Sequence, residues 1–120
     1  MPGRLTTHVL DTAHGRPAAN MTIELWHFDA WVVQRSLLTT VKTNADGRPD
    51  APLLADGALC VGEYELVFAV GAYFAGLGVT LTTPPFFDRV HIRFGVADAE
   101  AHYHVPLLTS PWSYSTYRGS

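Results

Sequence analysis

Apolar and polar side chains alternate with a period of two along most of the chain, which predicts strands. Leu5 to Leu10 reads as a first strand, with Leu5, Thr7 and Val9 on one face and Thr6, His8 and Leu10 on the other. Asp11 to Asn20 is a turn-rich loop around Gly15 and Pro17. Met21 to Phe28 places Met21, Ile23 and Leu25 on one face and Thr22 and Glu24 on the other. Trp31 to Thr43, rich in Val, Leu and Thr, holds one or two strands, and Asn44-Ala45-Asp46-Gly47 is a turn. Leu53-Leu54 reads as a short edge piece. Gly62 to Val70, Arg89 to Val96, His102 to Leu108 and Trp112 to Tyr117 read as further strands. Gly71 to Gly78 is the one helical stretch, about two turns long, and Pro84-Pro85 forces a loop. About seven or eight short strands at regular spacing, with one short helix, predict an all-β antiparallel sandwich.

Composition narrows this picture. A length of 120 residues predicts a single domain over 1–120, able to bury roughly two-thirds of its unfolded surface. Eight basic and eleven acidic residues give a net charge of −3 with no basic stripe, which argues against nucleic acid or an anionic membrane as partner. Cys60 is the only cysteine, so no intrachain disulfide forms, and beside Leu59 and Val61 it reads as a small buried hydrophobe. The N-terminal residues lack the apolar core of a secretory signal. The most apolar stretch, Phe68 to Leu81, is too short to span a bilayer and is broken by Gly71, Gly76 and Gly78. A cytoplasmic location is the expectation.

Candidate chemistry is sparse. No Gly-x-Ser-x-Gly elbow, phosphate loop, dinucleotide fingerprint or Cys-His pairing motif is present. Asp11, Asp29, Asp46 and Glu100 form no recognisable carboxylate pair. His8 lies mid-strand, where a lone histidine is more often an ordinary surface residue. His102-Tyr103-His104 projects two imidazoles from one strand face, with Tyr103, Val105 and Leu107 opposite. That spacing suits a metal, which needs a third ligand, or acid–base work near neutral pH. Pro106 offers no N–H to a ladder, so this strand lies at an edge or ends there. Arg48, fixed behind the Asp46-Gly47 turn, can pair bidentately with a planar anionic or urea-like ligand, although turn arginines are more commonly solvated. Tyr117-Arg118-Gly119-Ser120 follows a strand directly, where frayed solvated residues are usual, and its chemistry fits part of a site. Tyr117 shares a face with Ser113 and Ser115. Trp112 and Tyr114, on the other, read as core or interface packing.

Together these segments resemble a family. Leu5-Thr6-Thr7-His8-Val9-Leu10-Asp11, Thr43-Asn44-x-Asp46-Gly47-Arg48, His102-Tyr103-His104-Val105-Pro106-Leu107-Leu108 and the closing Ser110-Pro111-x-x-Tyr114-Ser115-Thr116-Tyr117-Arg118-Gly119-Ser120 are similar to the 5-hydroxyisourate hydrolases, the transthyretin-related enzymes of purine and urate degradation. The resemblance runs from Leu5 to Ser120, and the terminal Tyr-Arg-Gly-Ser is its most specific motif. It implies a transthyretin-like sandwich of two four-stranded sheets with a short helix, and a homotetramer built as a dimer of dimers with sites in the channel between them. It implies hydrolytic ring opening of 5-hydroxyisourate, a cyclic amide, with no metal or organic cofactor. The implied catalytic residues are His8, Arg48 and His104. Tyr117, Ser115, Arg118 and Ser120 join His8 and Arg48 in binding substrate, with Ser113 as an alternative to Ser115. One histidine would activate water and the other protonate the leaving nitrogen, in either assignment. Three other readings stand beside this one: a small-molecule carrier of the transthyretin type, a metal module using His102, His104 and His8, and a structural sandwich.

Overall fold

The computed structural model describes residues 2–119. The alternating stretches become β1 (Arg4–Thr6), β2 (Val9–Asp11), β3 (Arg16–Pro17), β4 (Thr22–Asp29), β5 (Gln34–Lys42), β6 (Gly62–Phe68), β7 (Val90–Val96), β8 (His102–His104), β9 (Leu107–Thr109) and β10 (Tyr114–Thr116). The helix α1 (Val70–Gly76) follows β6. Two four-stranded sheets, β10-β9-β2-β3 and β5-β4-β6-β7, form the expected sandwich, and β1 pairs with β8 alongside them. Leu5, Ile23, Leu25, Leu66, Phe68 and Leu107 are fully buried in one apolar cluster between the layers. Among the described residues no helix is long and apolar enough to cross a membrane.

The sandwich is not antiparallel throughout. β1 runs parallel to β8, and β2 runs parallel to β9. Alternation fixes which face a side chain takes but carries no strand direction, and parallel pairing needs a long connection between its strands. The ladder is carried by Val105 N–H donating to the Thr6 carbonyl at 3.0 Å and Leu107 N–H donating to the His8 carbonyl at 2.9 Å. Pro106, between them, has no N–H, and there the segment divides into β8 and β9. The face pattern survives both divisions. Leu5, Thr7, Val9 and Asp11 are buried while Thr6, His8 and Leu10 are half-buried, and Tyr103, Val105 and Leu107 are buried while His102 and His104 are half-buried.

The site-bearing strands are held by buried polar contacts. Thr7 donates its hydroxyl to the Val105 carbonyl at 2.7 Å. Buried Asp11 accepts from the Tyr73 hydroxyl at 2.8 Å, from the His14 N–H at 3.0 Å and from the His14 ring at 2.6 Å, tying α1 and the β2–β3 turn to the sheet. Burial alone would raise the Asp11 pKa; the hydrogen bonds from Tyr73 and His14 outweigh it and hold it below the ordinary 3.8. Burial and then Asp11 push the Tyr73 hydroxyl up to about 12. Tyr73→Phe should therefore cost about 1–3 kcal/mol at neutral pH, read as a lower urea midpoint. Because the folded Asp11 pKa is depressed, this stabilisation is present above pH 3.8 and fades as pH falls through the folded value, so the gap between variant and parent should narrow there.

Two expectations are corrected. Cys60 is exposed, in the turn that leads into β6, with its N–H given to the Tyr64 hydroxyl at 3.1 Å. An apolar neighbourhood in sequence misjudged a turn position. For Trp112 and Tyr114, read as core or interface packing, only the core alternative is corrected: they are 67% and 41% exposed, which leaves the interface alternative. Tyr114 meets the edge of Phe87 at a centroid distance of 5.2 Å.

Candidate active site

The turn ahead of Arg48 is built by Asn44. Its side-chain oxygen accepts from the N–H groups of Asp46 at 2.9 Å and Arg48 at 3.2 Å. Its backbone N–H donates to the Arg48 carbonyl at 2.8 Å, closing the turn. The turn is docked on β2, where Val9 N–H donates to the Gly47 carbonyl at 2.8 Å. Gly47 has φ of 76°, and a Cβ there would lie 2.4 Å from the Val9 carbonyl oxygen. Only glycine fits both constraints. Gly47→Ala should cost about 2–4 kcal/mol, measured by denaturant unfolding, because it strains the turn and lifts it from β2. Arg48 itself is exposed, and its guanidinium pairs with no carboxylate among the described residues.

His8 sits in the gap between β1 and β2, beside this turn. Its Nε2 lies 2.8 Å from the Asp46 carbonyl oxygen. A carbonyl only accepts, so Nε2 carries the proton and the neutral ring holds its lone pair on Nδ1. Burial, followed by the charge of Arg48, holds the His8 pKa below 6.5, against the opposing pull of Asp46. At neutral pH this is an uncharged imidazole with a free basic nitrogen.

His104 ends β8. Its Nδ1 lies 2.8 Å from Thr6 Oγ1, and the described residues give its Nε2 no hydrogen bond. Burial first, then Arg48, His102 and His8, hold its pKa below 6.5. The chain end clamps its backbone: Gly119 N–H donates to the His104 carbonyl at 2.7 Å, and His104 N–H donates to the Gly119 carbonyl at 3.3 Å. The ring packs on Gly119, where a Cβ would stand 3.0 Å from Cδ2. Arg118 lies over the Tyr103 ring at 4.2 Å and donates to the His102 carbonyl at 3.5 Å.

The structure thus brings His8, Arg48 and His104 together, since Arg48 acts on both imidazoles and His8 acts on His104. A cavity of about 180 Å³ is lined by Arg48 with Thr6, Thr7 and Pro52, and neither histidine is part of its wall. Arg118 is placed as an anchor. Tyr117 is exposed and borders a different cavity of about 270 Å³, between β7 and β10 with Ile92 and Tyr103, and no described hydrogen bond or ring contact joins it to the histidines. Ser115 lies on β10 opposite Leu108, exposed and likewise unconnected to them. Ser120 lies outside the described residues. Thr6 and Asn44, though inside the motifs, were given no part in the site. For Thr6 a signal existed, because alternation puts it on the His8 face, but the register that sets it opposite His104 is invisible in a linear sequence. No three His, Cys, Asp or Glu residues among those described gather as a metal-ligand set.

Two depressed histidine pKa values set a pH dependence. If neutral imidazole is the working form, kcat/KM should stay level from neutral pH down to about 6.5 and fall only below it. An acid limb centred above 6.5 would contradict this. The unfolded chain binds protons that the folded chain refuses in this range. The two histidines therefore add stability above pH 6.5 that is lost as pH falls through their folded values.

A two-layered sandwich of two four-stranded sheets with one short helix in this order belongs to the transthyretin-like class. The chain is a member of the HIUase/Transthyretin family, whose model matches residues 5–119. It is 61% identical over 118 residues to the 5-hydroxyisourate hydrolase of Ralstonia nicotianae, covering 98% of this chain and 99% of that protein. The structure of Klebsiella pneumoniae 5-hydroxyisourate hydrolase superposes with a TM-score of 0.80 at 36% identity, covering 98% of this chain and 99% of that one. The crystal structure of (S)-allantoin synthase superposes with a TM-score of 0.92 at 46% identity over 99% of this chain, which spans only 44% of that longer protein.

Proposed function

We propose that the chain hydrolyses 5-hydroxyisourate to 2-oxo-4-hydroxy-4-carboxy-5-ureidoimidazoline in urate degradation, as a cyclic-amide hydrolase. The observation that carries this reading is a guanidinium with no carboxylate partner among the described residues, bearing on two imidazoles held below their ordinary pKa, each with one ring nitrogen that has no hydrogen bond among those residues. His8 Nδ1 takes a proton from water as the oxygen attacks the carbonyl of the ring acyl–nitrogen bond. Arg48 holds the substrate's oxygens and stabilises the charge that develops on the attacked carbonyl. His104 Nε2 delivers a proton to the departing nitrogen. Tyr117 and Ser115 orient the substrate, while Arg118 and the Ser120 carboxylate fix the chain end. The Asp46 carbonyl supports this division, because it fixes His8 in the tautomer a base needs.

In this reading residues 1–120 are one domain, acting in the cytoplasm as a homotetramer. β7 and β10 are end strands of their sheets and free to pair with other copies, and a second dimer covering the outer face of the β10-β9-β2-β3 sheet closes the site into a channel. Light scattering should then report four times the 13.1 kDa chain mass. The decisive test is stopped-flow ultraviolet decay of freshly generated 5-hydroxyisourate. Acceleration far above the spontaneous rate is expected. Tight binding of an iodinated aromatic ligand with no acceleration would instead identify a carrier.

A further inference from the structure

The parallel register of β1 and β8 sets Arg4 opposite His102 and Thr6 opposite His104. One hydroxyl consequently sits between two imidazoles. Thr6 Oγ1 lies 2.9 Å from His102 Nε2 and 2.8 Å from His104 Nδ1, and the ring centroids are 6.5 Å apart. A hydroxyl has one proton to give and lone pairs to accept with. With both contacts made, it either accepts from both rings or donates to one and accepts from the other.

We propose that Thr6 and His102 are positioning residues that form a proton relay, resupplying His104 Nδ1 as His104 Nε2 gives its proton to the leaving nitrogen. This rests on the hydrolytic reading above. A neutral imidazole is a poor acid, because losing its only N–H leaves an imidazolate. Burial and the nearby Arg48 oppose the alternative of a standing imidazolium at His104. A proton arriving at Nδ1 as another leaves Nε2 avoids both charged forms. The required polarity is His102 Nε2–H donating to Thr6 Oγ1, and the Thr6 hydroxyl donating to His104 Nδ1. His8 is already held as the base, so His104 is left as the acid, and this polarity places a proton on its Nε2.

The protons and electrons balance. The electron pair of the breaking carbon–nitrogen bond passes to the leaving nitrogen, which takes the His104 Nε2 proton. The Thr6 proton moves to His104 Nδ1, and the His102 Nε2 proton moves to Thr6 Oγ1. His102 Nδ1 takes a proton from solvent in the same step, so neither ring passes through an imidazolate. The chain regains its polarity when His104 Nε2 takes a proton from solvent, the shifts run in reverse and His102 Nδ1 releases its proton, while His8 returns to solvent the one it took from water. His102 borders an open cavity of about 620 Å³ with Arg4, Asp56 and Glu100, which gives the relay its outlet. Arg118 donates to the His102 carbonyl, and the charges of Arg48 and His8 bear on His104.

The test compares Thr6→Val, which keeps the branched shape without the hydroxyl, with Thr6→Ser, His102→Phe and the Thr6→Val/His102→Phe double variant. Thr6→Val should lower kcat by about 30- to 100-fold with KM within about 2-fold. Thr6→Ser should recover most of the rate, and His102→Phe should match Thr6→Val. The double variant should lose no more than either single one, because both break the same chain. A folded Thr6→Val variant with kcat near that of the parent, or additive losses, overturns the relay. Nitrogen-15 NMR of histidine-labelled protein gives a reading independent of turnover. Protonated Nε2 and bare Nδ1 at His104 are expected, and protonated Nδ1 there overturns the proposal. If the parent protein fails to turn over hydroxyisourate, the hydrolytic reading falls, and the nitrogen spectrum still decides the polarity of the chain.

Discussion

Arg48→Ala should slow enzymic decay of 5-hydroxyisourate by about 10²- to 10³-fold, the usual consequence of removing one group that stabilises a developing oxyanion. The guanidinium has no carboxylate to neutralise it among the described residues, so its charge is available to a ligand. A second signature separates this loss from simple unfolding. Arg48 depresses the pKa of both His8 and His104, so its removal should move the acid limb of the rate profile to higher pH. The fold should be spared, because the turn is held by Asn44 and Gly47 and not by the Arg48 side chain. His104→Asn should show a loss of similar size. Near-parental rates in either variant would sink the assignment.

Deleting residues 117–120 should abolish measurable catalysis, a loss of at least about 10²-fold, while the sandwich stays folded. The buried cluster runs from Leu5 to Leu107 and draws nothing from those residues. What is lost is the two-way backbone pairing of Gly119 with His104, the packing of the His104 ring on Gly119, and Arg118 over Tyr103. With the clamp gone, His104 is no longer held at its Thr6 contact. Circular dichroism and an unfolding midpoint close to those of the parent should accompany the inactivity. A truncated protein that keeps its turnover would reduce the chain end to a structural role.

Much of this architecture is legible in the sequence because burial imposes a period of two on a half-covered strand. The pattern from Leu5 to Leu10 assigns every face correctly, even across the division at Thr7 and His8, although Asp11, read as loop, continues the strand. Pro106 announces its break because a missing N–H is a local property. Non-local properties stay hidden. That β1 and β8 run parallel, and that Thr6 therefore meets two histidines, depends on how segments about a hundred residues apart are brought together. Glu65 illustrates the same limit. It looks like a solvated strand residue, yet it is buried beneath Arg35, His91 and Arg93, drawn from β5 and β7. The motif residues His8, Arg48 and His104 were found through resemblance. Without it His8 read as an ordinary surface histidine, Arg48 as a turn arginine more commonly solvated, and His104 as half of a His-x-His pair open to metal or acid–base use, while alternation oriented Tyr117 without placing it near the others.

The parallel ladder between the first and last segments also orders events in time. Thr6 and His104 are separated by 98 positions, so a nascent chain emits the first strands well before their partners exist. At about 5–20 residues per second, that interval lasts roughly 5–20 s. During it the segment Arg4 to Asp11 has the short β3, the Gly47 turn and the Leu53–Leu54 bridge to Leu5 to pair with, while the edge that later takes up β8 and β9 stays bare to other chains. Such long-range pairing is slow to form even in a complete chain. On the hydrolytic reading proposed above, His104 reaches His8 and Arg48 only when this late segment docks.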